Sequence, residues 1–454
     1  MNRRDFVRLA SVVPLLGVLK GCSVWPQSRL ARNRDESVLI VGAGVAGLAA
    51  ADRLRMSGYT AVTILEARDR TGGRVWTSHA WDGVPVDLGA SWIHGPRRNP
   101  ITRLAREAGA EMVATDFDDL TLYGPSGAAM GPDELRALER LGRKLDSAMG
   151  SRSGRDATTL RDRLSAALGD LSPQDQTDID FLIHSLVEQD FAEDVENLSP
   201  HVLEIGKTFG GGDVLFPGGY SAVFAPRFEG LDVRTGHVVD TVEWGGGSVT
   251  VSTNQGTFQA DRAIITLPLG VLKRGAVTFD PVLPEAKRDA IGAMGMGCLN
   301  KLYLRFPDVF WADTEGLSYQ PPQGRRWSQW VNYSFYTPSP VLIAFNAGDT
   351  ARETEELTDD ETVADAMDVL RRIYGTSIPE PTGFQRTRWN SDPFSFGSYS
   401  ARRPGVEQST VRALGELAGD RILFAGEATS LDYFSTVHGA WLSGIREANR
   451  LIAT

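Results

Sequence analysis

Val38-Leu39-Ile40-Val41-Gly42-Ala43-Gly44-Val45-Ala46-Gly47-Leu48 is the stretch on which the fold turns. Four apolar residues in a row, with no alternation, read as a strand buried on both faces of a parallel sheet. Apolar residues at helical spacing follow over 48–55, and 61–65 is a second apolar strand that ends at Glu66. Strand, GxGxxG, helix, strand and acid, in that order, make the dinucleotide-binding fingerprint. Gly42 makes the tight turn, Gly44 lets backbone approach a pyrophosphate, and Gly47 lets the helix pack close on the strand. The helix start presents unsatisfied N–H groups and a partial positive charge to the phosphates. Glu66 can accept hydrogen bonds from the ribose hydroxyls.

This fingerprint opens the globular part of a 454-residue chain that is 42% hydrophobic and 23% charged, enough for two or three domains with large cores. Such a composition excludes disordered, collagen-like and disulfide-scaffold proteins. Forty-seven basic against 58 acidic residues give a net charge of −11, with no basic stripe, so nucleic acid is not an expected partner. An acidic protein suits a cationic ligand, although acidic surface also serves solubility alone. Cys22 and Cys298 cannot make a disulfide framework, and neither CxxC nor HExxH is present, so no metal is expected. His79, His184, His201, His237 and His438 show no triad or metal spacing.

Residues 1–22 read as an export signal. Arg3-Arg4 precede an apolar run at 9–19, too short for the roughly 20 residues a membrane span needs. Paired arginines before such a run resemble a twin-arginine signal, which implies export to the periplasm of a folded, cofactor-loaded protein. Leu19-Lys20-Gly21-Cys22 resembles the lipoprotein cleavage box, with Lys20 where a small residue is usual; a membrane tether through Cys22 therefore stays open. Residues 23–36 are polar and aperiodic and read as a linker. No later segment has 18 unbroken apolar residues.

Glu66-Ala67-Arg68-Asp69-Arg70-Thr71-Gly72-Gly73-Arg74 resembles the second FAD-contacting segment of flavoprotein oxidoreductases. Gly72 and Gly73 give bare backbone and Arg74 a charge for the pyrophosphate. By residue type Arg68 and Arg70 read as solvated surface, and Arg68 is carried as a cofactor residue through the segment it belongs to. Further motifs lie at Asp87-Leu88-Gly89-Ala90-Ser91-Trp92-Ile93-His94-Gly95, Phe216-Pro217-Gly218-Gly219-Tyr220 and Leu267-Pro268-Leu269-Gly270-Val271-Leu272. Arg388-Trp389-Asn390-Ser391-Asp392-Pro393, Gly397-Ser398-Tyr399 and Phe424-Ala425-Gly426-Glu427-Ala428-Thr429 follow. In this order they resemble the flavin amine oxidase family, nearest its polyamine and spermine oxidase branch and the oxidase core of the flavin histone demethylases.

The resemblance implies an α/β fold, an FAD-binding Rossmann-like domain interleaved with a mixed α+β substrate domain. The FAD domain would take residues 37–94, 214–297 and 415–454, and the substrate domain 95–213 and 298–414. Within this frame Gly245-Gly246-Gly247 reads as a hairpin turn. Helical spacing dominates 133–208, and strand-like runs recur at 299–306, 327–334 and 341–345. No long coiled-coil insertion is present, which counts against nucleosome demethylation.

Site residues follow from the same motifs. Lys301 alternates with apolar neighbours on a strand, and an inward Lys is costly without a partner. The family places such a lysine at flavin N5 through a water; the alternative is an edge-strand lysine facing solvent. Trp389 and Tyr399 match aromatics beside the flavin, where their faces can hold an aliphatic amine. Thr436 stands where plant polyamine oxidases have a second aromatic, so a full sandwich is not expected, with Tyr433 or Phe434 nearby to compensate. Glu427 matches the contact to the ribityl chain and Val239 the strand residue pairing with adenine. Val437 starts a helix, expected over 437–448, whose N–H groups would meet the flavin ring. No cysteine sits near that end, so FAD is expected to be non-covalent.

For distal amines the candidates are His94 and Asp190; a structural histidine and a solvated acidic helix face over Glu188, Asp190, Glu193 and Asp194 remain the alternatives. The expected activity is oxidation of an amine, foremost a polyamine, to an imine, with O2 or another electron acceptor. An amino-acid oxidase is disfavoured because Ala90-Ser91-Trp92 offers no arginine for a carboxylate, and a desaturase or isomerase lacks support from the Lys301 and Tyr399 motifs. A non-catalytic flavin-binding lipoprotein is disfavoured by Lys301.

Overall fold

The computed structural model describes residues 35–151 and 158–453. The expected export signal and residues 23–34 of the linker lie outside these.

At the centre is a five-stranded, wholly parallel sheet. Its order is Ile422–Phe424, Arg262–Ile265, Val38–Val41, Val62–Leu65 and Asp232–Arg234. Val38–Val41 is buried at every position, as a run without alternation requires. Its side chains still divide by period two between the faces. Val38 and Ile40 pack with the helices Val45–Met56 and Val437–Ala453. Leu39 and Val41 pack toward a four-stranded sheet of Gly256–Ala260, Val249–Thr253, Val239–Glu243 and Thr278–Asp280. Val239–Glu243 and Val249–Thr253 are antiparallel, which makes the three glycines the expected hairpin turn. The two helices approach closely: a Cβ at Gly444 would stand 2.0 Å from the Ala46 carbonyl oxygen.

Parallel strands need long crossovers, and two of these crossovers build the second half of the molecule. A six-stranded sheet runs Gly383–Arg386, Leu299–Arg305, Val341–Ala347, Gln329–Asn332, Gly316–Tyr319 and Leu120–Tyr123. Lys301's strand is paired on both sides, so the edge-strand alternative fails. The run expected at 327–334 is a strand only over Gln329–Asn332, because the Asn332 side chain accepts from Ser334 N and turns the chain into a short 3-10 helix.

Helix Asp359–Tyr374 packs on this sheet through Ala366, Met367 and Leu370, while helices Pro132–Gly150, Leu160–Leu168 and Pro173–Ile183 form a cluster of their own, the last running on through a π-turn at His184–Glu188. The helical stretch ends at Phe191, well short of 208, where Ala192 takes a left-handed φ of 54°. The Ala192 carbonyl there accepts from Cys298 N at 2.7 Å, a tertiary bond to the chain leading into Lys301. No helix among the described residues is long and apolar enough to cross a membrane.

Candidate active site

The glycine turn has the geometry that its spacing demands. Gly42 has φ 107° and donates to the Leu65 carbonyl at 2.8 Å, tying the turn to the neighbouring strand. A Cβ on Gly47 would meet the Gly42 oxygen at 2.0 Å, whereas one on Gly44 would meet nothing within 4 Å. Gly47 therefore serves packing and Gly44 leaves space for a ligand. Glu66 is buried at the end of the second strand; one carboxylate oxygen accepts from Ala43 N (2.7 Å) and the other from Arg68 N (2.9 Å). Gly72 N donates to the Ala43 carbonyl, which sets the Gly72-Gly73 segment against the first glycine turn.

The arginines of this segment are not solvated. Arg68 makes a two-pronged ion pair with Asp392 at 2.7 and 3.0 Å, with both side chains less than one-fifth exposed. Arg70 stacks over Trp76 at 4.5 Å, and burial, with Arg68 nearby, pushes its guanidinium down to about 10. The surface reading of both is thus corrected: each is spent on a protein partner at the rim of the site. Arg74 donates to Glu427 (2.9 Å) and to the Ser398 carbonyl (2.8 Å). Glu427, itself buried, also accepts from Ser400 Oγ (2.6 Å) and Ser435 N (2.9 Å), so one carboxylate joins three chain segments.

Lys301 is buried on the central face of its strand, and its Nζ donates to the carbonyls of Asp87 (2.9 Å) and Gly89 (2.6 Å) and contacts Ser91 Oγ. Burial pulls the amine down to about 8, against the opposing pull of the Asp87 charge. Burial likewise raises Asp87 to about 6, although Thr77 Oγ1 and Tyr220 N donate to its carboxylate. Trp389 is buried edge-on to Trp76, and its backbone N–H donates to the Asn300 side-chain oxygen on Lys301's own strand. The Tyr399 hydroxyl donates to the Asp190 carbonyl (3.1 Å), and burial pushes that phenol well up.

Thr436 Oγ1 accepts from Gly439 N at 3.0 Å and so caps the helix beginning at Val437; its hydroxyl is a structural cap. Tyr433 stacks on Phe209 at 4.9 Å and Phe434 lies under Arg402, and both rings line the same cavity as Thr436.

The acidic group at 188–194 divides. Glu188 pairs with His184 and Arg325, Glu193 with Arg352, and Asp194 with Arg325, all three acids buried. A solvated acidic face therefore does not describe them. Burial, with help from Glu188, Asp349 and Glu193, raises Asp194 to about 6. Glu193, Asp194 and Asp349 also bring carboxylate oxygens within 4.8 Å of one another. Asp190 alone of the four is exposed. Antiparallel pairing of Trp92–His94 with Asp213–Leu215 sets His94 opposite Asp213, and Nδ1 lies 3.3 Å from that carboxylate.

One cavity of about 1510 Å³ touches Lys301, Trp389, Tyr399, Thr436, His94 and Asp190 and every residue assigned to the cofactor except Gly47, which stands behind the turn. It exceeds the roughly 300–1,000 Å³ of a single small-molecule pocket, as a dinucleotide and a substrate together require. A Cβ on Gly426, beside Glu427, would also meet nothing within 4 Å, so the wall is bare backbone at two separate points. Two helices start on the cavity, at Val45 and Val437, with N–H groups suited to anionic and carbonyl oxygens. The residues present fit FAD. Sequence reasoning quoted Asp87 and Ser91 within a motif but assigned them nothing; it missed Asp392 as the partner of Arg68 because 324 residues separate the two.

Residues 45–452 match the family model described as flavin containing amine oxidoreductase. Polyamine oxidase 2 of Arabidopsis thaliana is 34% identical over 436 residues, covering 92% of this chain and 88% of that protein. Lysine-specific histone demethylase 1 homolog 3 of Oryza sativa subsp. japonica is 35% identical over 438 residues, and there the chain spans about half of the relative (54%). A solved putrescine oxidase, bound to putrescine, superposes with TM-score 0.75 over 92% of this chain and 99% of its own at 21% identity, a likeness of fold. With the glycine turn, the buried lysine and the shared cavity already in hand, these matches make the chain a member of the flavin-containing amine oxidoreductase family, an FAD-dependent enzyme that oxidises amines.

Proposed function

We propose that the amine is a polyamine, that O2 takes the electrons, and that the protein works after export to the periplasm. FAD, when bound, supplies the hydride acceptor at N5. The chain's residues arrange the rest. Buried Trp389 and half-buried Tyr399 wall the reacting end, and excluding water there favours the neutral amine whose neighbouring carbon gives up hydride. Lys301, fixed at the strand centre, holds a proton-exchanging nitrogen at that end. The helix capped by Thr436 directs its N–H groups into the cavity and favours developing negative charge. Asp190 and the His94–Asp213 pair, with Asp190 and His94 exposed, also line this cavity, where carboxylates attract the remaining ammonium groups. The imine released hydrolyses to an aldehyde and an amine, and O2 leaves as H2O2.

What carries the polyamine reading is that one cavity contains the dinucleotide turn, Lys301, Tyr399 and the exposed Asp190. Anaerobic mixing of the purified protein with amines, followed by flavin absorbance, tests it. Spermine or spermidine should bleach the flavin faster than putrescine, aromatic monoamines or amino acids; bleaching by monoamines or amino acids alone overturns the polyamine assignment. Export rests on Arg3-Arg4 and the apolar run after them. Replacing both arginines by lysine should hold the protein in the cytoplasm of a twin-arginine-competent host. Fractionating the same cells reports whether Cys22 tethers the exported form to membrane.

A further inference from the structure

The three partners of Lys301 Nζ are not equivalent. Two are backbone carbonyls, of Asp87 and Gly89, and a carbonyl can only accept. The third, Ser91 Oγ, is a hydroxyl that accepts or donates. An ammonium has three N–H donors and finds three acceptors here. A neutral amine has two N–H groups, which the carbonyls take, and a lone pair that, of these three partners, only the serine can satisfy, the Tyr303 hydroxyl nearby donating to the Asp87 carbonyl. Ser91 has a second place for its own proton, since Oγ lies 3.3 Å from the Asp87 carbonyl oxygen. All of this is buried, where an unsatisfied polar atom is costly.

We propose that Ser91 is a positioning residue for Lys301, its hydroxyl accepting a hydrogen bond from the ammonium and donating one to the free amine, so that Nζ keeps its place in both protonation states. The hydroxyl proton turns between the Asp87 carbonyl and Nζ; no proton leaves the serine and no bond is made or broken. The arrangement matters because burial brings the Lys301 equilibrium near neutral pH, so the resting enzyme samples both forms. Around Nζ the titratable groups are Asp87 on the strand Val86–Asp87, Tyr303 on Lys301's own strand, Tyr333 on the adjoining 3-10 helix, and Tyr220 beyond the Asp87 carboxylate. The three phenols are all pushed up by burial and stay neutral, which leaves Asp87 as the charge that opposes loss of the lysine proton. The Trp92 ring, 5.4 Å from Nζ, adds to the attraction for the ammonium. The proposal rests on the reading of Lys301 as the amine that works at the reacting centre.

The chain has six lysines, at 20, 144, 207, 273, 287 and 301, few enough for each to be followed. Holoprotein carrying 13Cε-labelled lysine is titrated by NMR, the Lys301 signal being the one absent from Lys301→Met. Removing the hydroxyl takes a charge-assisted bond from the ammonium and a weaker one from the amine, so Ser91→Ala should lower the Lys301 midpoint by about one pH unit. Ser91→Thr keeps a hydroxyl and should restore it. In the pH profile of flavin reduction, the ionisation that Lys301→Met abolishes should move the same way in Ser91→Ala. A midpoint in Ser91→Ala within about 0.3 unit of wild type overturns the Ser91 assignment alone. A Lys301→Met enzyme with the wild-type pH profile overturns the reading of Lys301, and with it the functional half of the proposal.

Discussion

A methyl group added at Gly44 and one added at Gly47 should fail for opposite reasons. Gly44 has an ordinary φ of −75° and open space where a Cβ would go, so Gly44→Ala leaves the cofactor-free fold within about 0.5 kcal/mol of wild type. The methyl projects into the pyrophosphate's space, and FAD affinity should fall tenfold or more, about 1.4 kcal/mol. In Gly47→Ala the new carbon meets the Gly42 carbonyl at 2.0 Å, backbone that cannot move aside, and the fold itself should lose about 1–3 kcal/mol. Denaturant unfolding of the apoprotein beside an FAD titration separates the two; equal loss of stability in both variants would refute the division of roles. These roles were legible in the sequence because each depends on backbone a few residues away. Arg68 was not, because its environment is made by Asp392 and Phe394, which only the folded chain brings near. Ser91 was quoted without a role for the same reason, its partner lying 210 residues on.

The C-terminal helix, Val437–Ala453, meets the cavity at its first turn and the glycine-loop helix at its middle. Thr436 caps its first turn, and Thr436→Ala should cost about 1 kcal/mol of stability. Thr436→Ser keeps the capping oxygen and should recover most of that loss, which circular dichroism during thermal unfolding would read. In the middle, Gly444 lets the helix lie on the glycine-loop helix with no side chain between them. Gly444→Ala should push the two apart and weaken FAD binding without touching the cofactor; unchanged FAD affinity would show that the helices tolerate the shift. The sequence placed this helix's start correctly and ended it five residues early, since a cap leaves a local signature and a helix end here does not. It ran the helical stretch of 133–208 too far for a different reason. Apolar spacing continues past Phe191, but the Ala192 carbonyl is claimed by Cys298 of another segment, and local periodicity carries no record of that bond.

At the scale of the molecule, the parallel sheet is assembled from stretches some 380 residues apart, and the order of its motifs was readable while the bonds that hold the stretches together were not. Lys287 is one of these bonds. From helix Glu285–Ala293 it donates to the carbonyls of Ala413 and Leu414, at the end of helix Gln408–Gly415, and its ammonium stands 3.9 Å over the Phe424 ring of the sheet. The contact closes the last segment onto the preceding one at the price of a buried charge. Burial lowers the amine to about 7, an effect partly offset by Glu416 and Glu447. Unfolded, a lysine holds its proton to about 10.4. Between those values the unfolded chain binds the proton and the folded chain does not, so this group makes stability rise with pH across that window and contributes no slope below it. The slope can reach at most about 1.4 kcal/mol per pH unit. Lys287→Met keeps the aliphatic bulk and removes the titration. The stability of wild type relative to the variant should therefore be lower at pH 6.5 than at pH 9.5, measured by denaturant unfolding at both. A stability of wild type relative to the variant that stays constant, or that falls as pH rises, would mean that Lys287 remains protonated in the fold, its charge satisfied by the two carbonyls and the ring.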